Sequence, residues 1–247
     1  MTYILLALAA VAVGVLIGTV GIGGILLIPA LTYLGELPVH AAAATALFTF
    51  AFTGILGTFL FQRRGSIDWR ITTPVCVGAV VFSVLGAWAS SRLDARPLTL
   101  LIAAIIILAG AYILVPSRPR AAFRDGRSGG EQAMLLAVGA ASGFGSGLSG
   151  AGGPLFSVPM MVLAGFVPLA SIGTSQVLQI VAAAFGTAGN LAYGRIDFGV
   201  AAWITALELA GVAAGVRLAH VASVQTLRRL AAGLCVVVGV FMLWRNL

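Results

Sequence analysis

Gly21-Ile22-Gly23-Gly24 with Pro29 behind it, and Gly150-Ala151-Gly152-Gly153 with Pro154 and Pro159 behind it, decide the fold. Each stretch lies inside a long apolar run, residues 4–35 and 132–165. At 1.5 Å per residue a straight helix of that length reaches about 50 Å, against a hydrocarbon core of ~30 Å. Each run must therefore break, tilt or fold back, and the Gly and Pro residues mark the place. A break there frees backbone N–H and C=O groups that protein or a wet cavity must satisfy.

Outward from these runs lie six more apolar segments, near 39–62, 71–91, 97–115, 169–192, 199–219 and 228–244. Most have the ~17–25 residues that span a bilayer as a helix. Of the 247 residues, 60% are apolar and 9% charged, where a soluble domain carries roughly 25% charged residues. This excludes a water-soluble enzyme, and the apolar content excludes disorder. The expectation is an all-α integral membrane protein with about eight hydrophobic segments. The bias toward Ala, Gly, Val and Arg suggests a GC-rich bacterial genome, and the expected location is the bacterial inner membrane, crossed several times. Met1-Thr2-Tyr3 runs straight into apolar sequence with no basic leader, so the first segment reads as mature structure. The net charge is +7, and all fourteen basic residues are Arg. They sit on short loops, as cytoplasmic anchors do, so no nucleic-acid partner is expected; the lipid bilayer is. Cys76 and Cys235 lie in apolar runs and read as packing residues. Neither a metal nor another cofactor is expected.

The two breaks are partners in a repeat. Gly21, Gly23 and Gly24 match Gly150, Gly152 and Gly153, while Pro29 and Pro38 match Pro159 and Pro168. Thr45 matches Ser175, and Gly65-Ser66-Ile67-Asp68-Trp69 matches Gly194-Arg195-Ile196-Asp197-Phe198. The chain reads as two homologous halves, 1–115 and 132–247, joined by a basic cytoplasmic linker at 116–131. Each half opens with a glycine-broken helix. If each long run crosses once the halves are parallel; if each is a re-entrant hairpin they are inverted. Arginine placement does not choose between these, and the paired breaks favour inversion.

A helix that starts within the membrane exposes unpaired N–H groups and a positive dipole end, which attract an anion. Glycine lets that anion approach the backbone. Gly21, Gly23, Gly24, Gly150, Gly152 and Gly153 are therefore substrate-binding candidates, facing each other across a hollow. Thr45 and Thr49, and their counterparts Ser175 and Gln179, are each one helical turn apart and share a face. With Gln176 they supply neutral donors. Buried Gln is costly to leave unpaired, so Gln176 and Gln179 weigh most. Glu208, within 199–219, is an intramembrane acid and a candidate for proton coupling. Asp68 and Asp197 read as helix caps. His40 and Arg217 read as interfacial, and Asn190 as a cap or loop contact.

With these residues in hand, the chain resembles the sulfite exporter-like TauE/SafE family of membrane transporters. The two glycine-proline elements, Gly173-Thr174-Ser175 and the two-half organisation carry the likeness over almost the whole length. One departure is that the glycine triplet of the family's first motif appears here as Gly23-Gly24-Ile25. The resemblance implies export of small sulfur-containing anions, such as sulfite or organosulfonates, by alternating access. It points again to the two breaks, Thr45, Ser175 and Gln176.

Two alternatives stand beside this reading. A passive anion channel would also use broken helices. An intramembrane serine protease would use Ser149, in Gly147-Leu148-Ser149-Gly150, with His220 as base. The matching Gly18-Thr19-Val20-Gly21 has no such pattern, so duplication explains the glycines without catalysis, and a non-enzyme is expected. The sequence leaves the oligomeric state open, a homo-oligomer included.

Overall fold

The computed structural model describes residues 2–21, 23–114, 128–193, 196–221 and 224–246. Most of the basic linker, with Arg118, Arg120, Arg124 and Arg127, lies outside them. Ten α-helices follow one another: α1 Thr2–Val20, α2 Leu27–Tyr33, α3 Val39–Arg63, α4 Trp69–Arg92, α5 Ala95–Leu114, α6 Gly129–Ser149, α7 Pro154–Leu163, α8 Pro168–Tyr193, α9 Phe198–Val221 and α10 Val224–Asn246. A 3-10 turn at Gly24–Leu26 leads into α2. Both long apolar runs are thus split where the glycines stand. Among the described residues five helices, α3, α4, α5, α8 and α9, are long and apolar enough to cross a membrane.

Local chemistry sets the ends. Asp68 accepts from the Arg70 amide at 2.9 Å and starts α4; Asp197 accepts from the Val200 amide at 2.9 Å and starts α9. The helix after the linker begins at Gly129, earlier than the apolar run at 132. Ser128 and Glu131 form a capping box there, each side chain bonded to the other's amide.

Glycine then lets helices touch backbone to backbone. On the α1–α9 seam a Cβ added to Gly14 would strike the Glu208 carbonyl, and one on Gly215 the Val15 carbonyl. On the α4–α6 seam one on Gly139 would strike the Val75 carbonyl, and one on Gly86 the Phe144 carbonyl. Small residues spaced in this way drive packing where lipid removes the hydrophobic force between helices.

Directions follow from the contacts. α4 runs parallel to α6, and α1 parallel to α9. α3 runs antiparallel to α8: Pro38 shares a cavity with Asn190, while Gly57 lies against Gln176. α5 runs antiparallel to α10, with Gly110 near Ala232 and Ala103 near Gly239. α7 folds back along α6, so that Phe156 meets Gly145 and Pro159 accepts from the Tyr112 hydroxyl at 3.3 Å. α2 turns back likewise, and Tyr33 reaches Asn246 at 2.9 Å.

Candidate functional site

The two breaks meet inside the molecule. After α1, Gly21 turns left-handed at φ +76°, and after α6 Gly150 and Gly152 do so at φ +71° and +78°. These conformations suit glycine and strain a residue with a Cβ. A Cβ built on Gly24 would lie 3.2 Å from the Ala151 carbonyl oxygen, so one turn touches the other. Gly21 donates to Ile17 at 3.1 Å and Gly150 to Ser146 at 2.8 Å. The Ala151 amide donates to Ser149 Oγ at 3.3 Å. The amides of Gly23, Gly152 and Gly153 have no hydrogen-bond partner among the described residues.

The Phe50 ring of α3 packs against both turns. Its ring lies 2.7 Å from the Cβ position of Gly24 and 3.2 Å from that of Gly152, and it is fully buried. Gly23 also packs against Leu16 and Ile17 of α1, Gly150 against Ala43 of α3 and Gly153 against Leu178 of α8, so the hinges are closely packed where a hollow between them was expected. Sequence reasoning missed Phe50, because an aromatic residue in an apolar span carries no pattern of its own.

The polar candidates surround this plug unevenly. Ser175 Oγ lies 3.3 Å from the Cβ position of Gly21 and donates to the Ile172 carbonyl at 2.7 Å. Gln179 donates to the Phe50 carbonyl at 3.0 Å and to Thr53 Oγ1 at 2.7 Å. Gln176 donates to the Ile17 carbonyl at 3.4 Å, and its Oε1, against Gly57, is unpartnered. Thr49 donates to Ala46 at 2.9 Å. Thr45 is engaged elsewhere: its Oγ1 accepts from the Asp197 amide at 3.1 Å, tying α3 to the turn before α9.

Glu208 is wholly buried on α9, and neither carboxyl oxygen meets a hydrogen-bond partner among the described residues. Thr49 stands beside it but donates its hydrogen to Ala46. An unsatisfied buried polar group costs about 1–3 kcal/mol, so this acid does not stabilise the fold. Ser149 donates to the Gly145 carbonyl at 2.6 Å, within its own helix. His220 stands in α9, and its side chain lies outside the described residues.

Helices of spanning length wrapped around two meeting breaks make this a multi-pass membrane protein. Residues 6–242 match the family described as sulfite exporter TauE/SafE, and the chain belongs to that family of membrane transporters. Among its relatives is the probable membrane transporter protein YdhB of Bacillus subtilis, 30% identical over 75% of this chain and 77% of that one. YunE of the same organism, also described as a probable membrane transporter protein, is 25% identical over 81% of each. MJ0441 of Methanocaldococcus jannaschii, with the same description, is 25% identical over 97% of this chain and 94% of its own. No solved structure matches the chain.

Proposed function

We propose that the protein is a secondary transporter that exports small sulfur-containing anions, sulfite or organosulfonates, by alternating access. The observation that carries this reading is the pair of touching glycine turns with unpaired amides at Gly23, Gly152 and Gly153. Unpaired N–H groups beside residues without a Cβ are what a small oxyanion needs to bind the backbone closely. The substrate sits between the turns once the Phe50 ring has moved aside, held also by Ser175 and Gln176. The Gln176 amide group turns from the Ile17 carbonyl to the anion when the substrate enters, at the cost of one long bond of 3.4 Å. Glu208 carries the coupled proton, next to Thr49 and one residue removed from the plug.

The reading extends to architecture. Residues 1–115 and 132–247 are two inverted copies joined by the linker at 116–131, each opening with a re-entrant hairpin. The antiparallel pairing of the repeat-equivalent helices α3 with α8 and α5 with α10 supports this. So does the return of α7 along α6. Rocking of one copy against the other would open the gap to alternate sides.

The test is flux in proteoliposomes across sulfite, sulfate, thiosulfate, sulfoacetate and taurine, with and without an imposed pH gradient. Accumulation of a sulfur oxyanion against its gradient supports the proposal. Flux that only ever runs downhill and does not saturate with sulfite contradicts alternating access, and no flux for any of the five rejects the substrate class.

A further inference from the structure

At the start of α3 lies a cavity of about 220 Å³ whose lining includes Pro38, His40, Ser90, Ser91, Asn190 and Gly150. That volume holds roughly seven waters at ~30 Å³ each, which is room for a small oxyanion with part of its hydration. No Asp or Glu lines it. Gly150 belongs to the second break, so the cavity leads to the hinge.

Several carbonyls around the cavity are already taken, while those of Gly147 and Gly150 on its wall accept no hydrogen bond among the described residues. Trp88 accepts from Ser91 at 2.7 Å, Ser90 from the Leu93 amide at 3.2 Å, and Leu93 from His40 Nε2 at 3.0 Å. On α6, Gly145 accepts from Ser149 at 2.6 Å and Ser146 from the Gly150 amide at 2.8 Å. Open donors converge here beside those carbonyls. Ser90 is 7% exposed, lines the cavity, and its hydroxyl has no partner, not even the carbonyl one turn back in its own helix. Asn190 has no side-chain partner among the described residues either. The first turn of α3 has no capping side chain; its first backbone bond is Ala42 to Pro38 at 2.9 Å. The amides before Ala42 therefore point their hydrogens outward along a 25-residue helix whose dipole is positive at this end.

We propose that this cavity is a second oxyanion-binding site, a vestibule formed by Ser90, Asn190 and the first turn of α3. An acceptor-only anion satisfies the unused N–H groups of the first α3 turn and the Ser90 and Asn190 donors, and no carboxylate on the wall opposes it. His40 is a positioning residue: its bond to Leu93 holds the α4–α5 turn against the first turn of α3. The proposal rests on the anion-transport reading above. It adds a place where the anion pauses before or after the hinge.

The test uses the full chain in phosphatidylcholine proteoliposomes, with sulfite as the probe. Ser90→Ala and Asn190→Asp are compared with wild type by sulfite isotherm and by the KM and kcat of sulfite flux. Ser→Ala in a helix is mild, and Asn→Asp keeps the shape while adding a negative charge. Expected are a roughly tenfold weaker isotherm and higher KM for Ser90→Ala, with kcat little changed, and loss of measurable saturation for Asn190→Asp. Wild-type isotherms in both variants overturn the vestibule and leave the transport reading standing. A wild-type protein that neither binds nor moves sulfite overturns both. Adding phosphatidylglycerol should leave the wild-type isotherm unchanged; displacement of sulfite by it assigns the cavity to a lipid headgroup and overturns the proposal.

Discussion

Gln179 of α8 donates its side-chain amide to the backbone carbonyl of Phe50 in α3, at 3.0 Å. A second N–H reaches Thr53 Oγ1 at 2.7 Å. One side chain thus fixes, from the neighbouring helix, the backbone of the residue whose ring packs against both glycine turns. Gln179→Met keeps the length and removes both donors. Two lost hydrogen bonds of about 0.5–1.5 kcal/mol each predict destabilisation of ~1–3 kcal/mol, read from denaturant unfolding in detergent. Sulfite flux should also fall several-fold. Wild-type stability and flux together would show that the bond holds nothing.

Phe50 itself makes a sharper prediction. Removing the ring as Phe50→Ala leaves a gap between Gly24 and Gly152, with a packing cost of about 3–5 kcal/mol. The gap should let sulfite leak down its gradient without a pH gradient, several times faster than in wild type. Phe50→Leu should lie between the two. A leak that is no greater in Phe50→Ala contradicts the idea of a plug.

Gly152→Ala places a methyl group 3.2 Å from the Phe50 ring, at a φ of +78°. The left-handed conformation alone costs roughly 1–2 kcal/mol for an L-residue. Transport should drop at least tenfold. Gly233→Ala is the control, because a Cβ there meets nothing within 4 Å in the middle of α10. It should be neutral or stabilising by about 1 kcal/mol and transport normally. Equal activity in the two variants would remove the breaks from the mechanism.

Glu208→Gln preserves the shape of a buried side chain and removes its ability to exchange a proton. Flux should continue in the variant and lose its response to an imposed pH gradient. Flux that answers the gradient as wild type does would take Glu208 out of the coupling. The measurement is initial sulfite flux at matched and unmatched internal pH.

The breaks were legible because glycine and proline leave a mark in any apolar run, and both hinges stand where those marks fall. The caps at Asp68 and Asp197 were legible for a similar reason: a short acid before an apolar run has few other uses. The start of α6 was read too late, because Ser128 and Glu131 look like linker polarity until their reciprocal bonds are seen. Helix direction was open, since arginines on short loops satisfied either arrangement. The antiparallel course of α3 against α8 is a fact of tertiary packing, carried by pairs such as Gly57 with Gln176. Thr45 shows the limit of spacing arguments. It shares a face with Thr49, yet its hydroxyl serves the Asp197 amide, a partner 152 residues away that no local period encodes.

The most direct measurement is anomalous diffraction from crystals of the full chain soaked in selenite, a heavy analogue of sulfite. The account predicts selenium density between Gly24 and Gly152, within hydrogen-bond reach of the Gly152 and Gly153 amides, with the Phe50 ring displaced. Density that appears only away from the two turns, with Phe50 still packed against them, would contradict it.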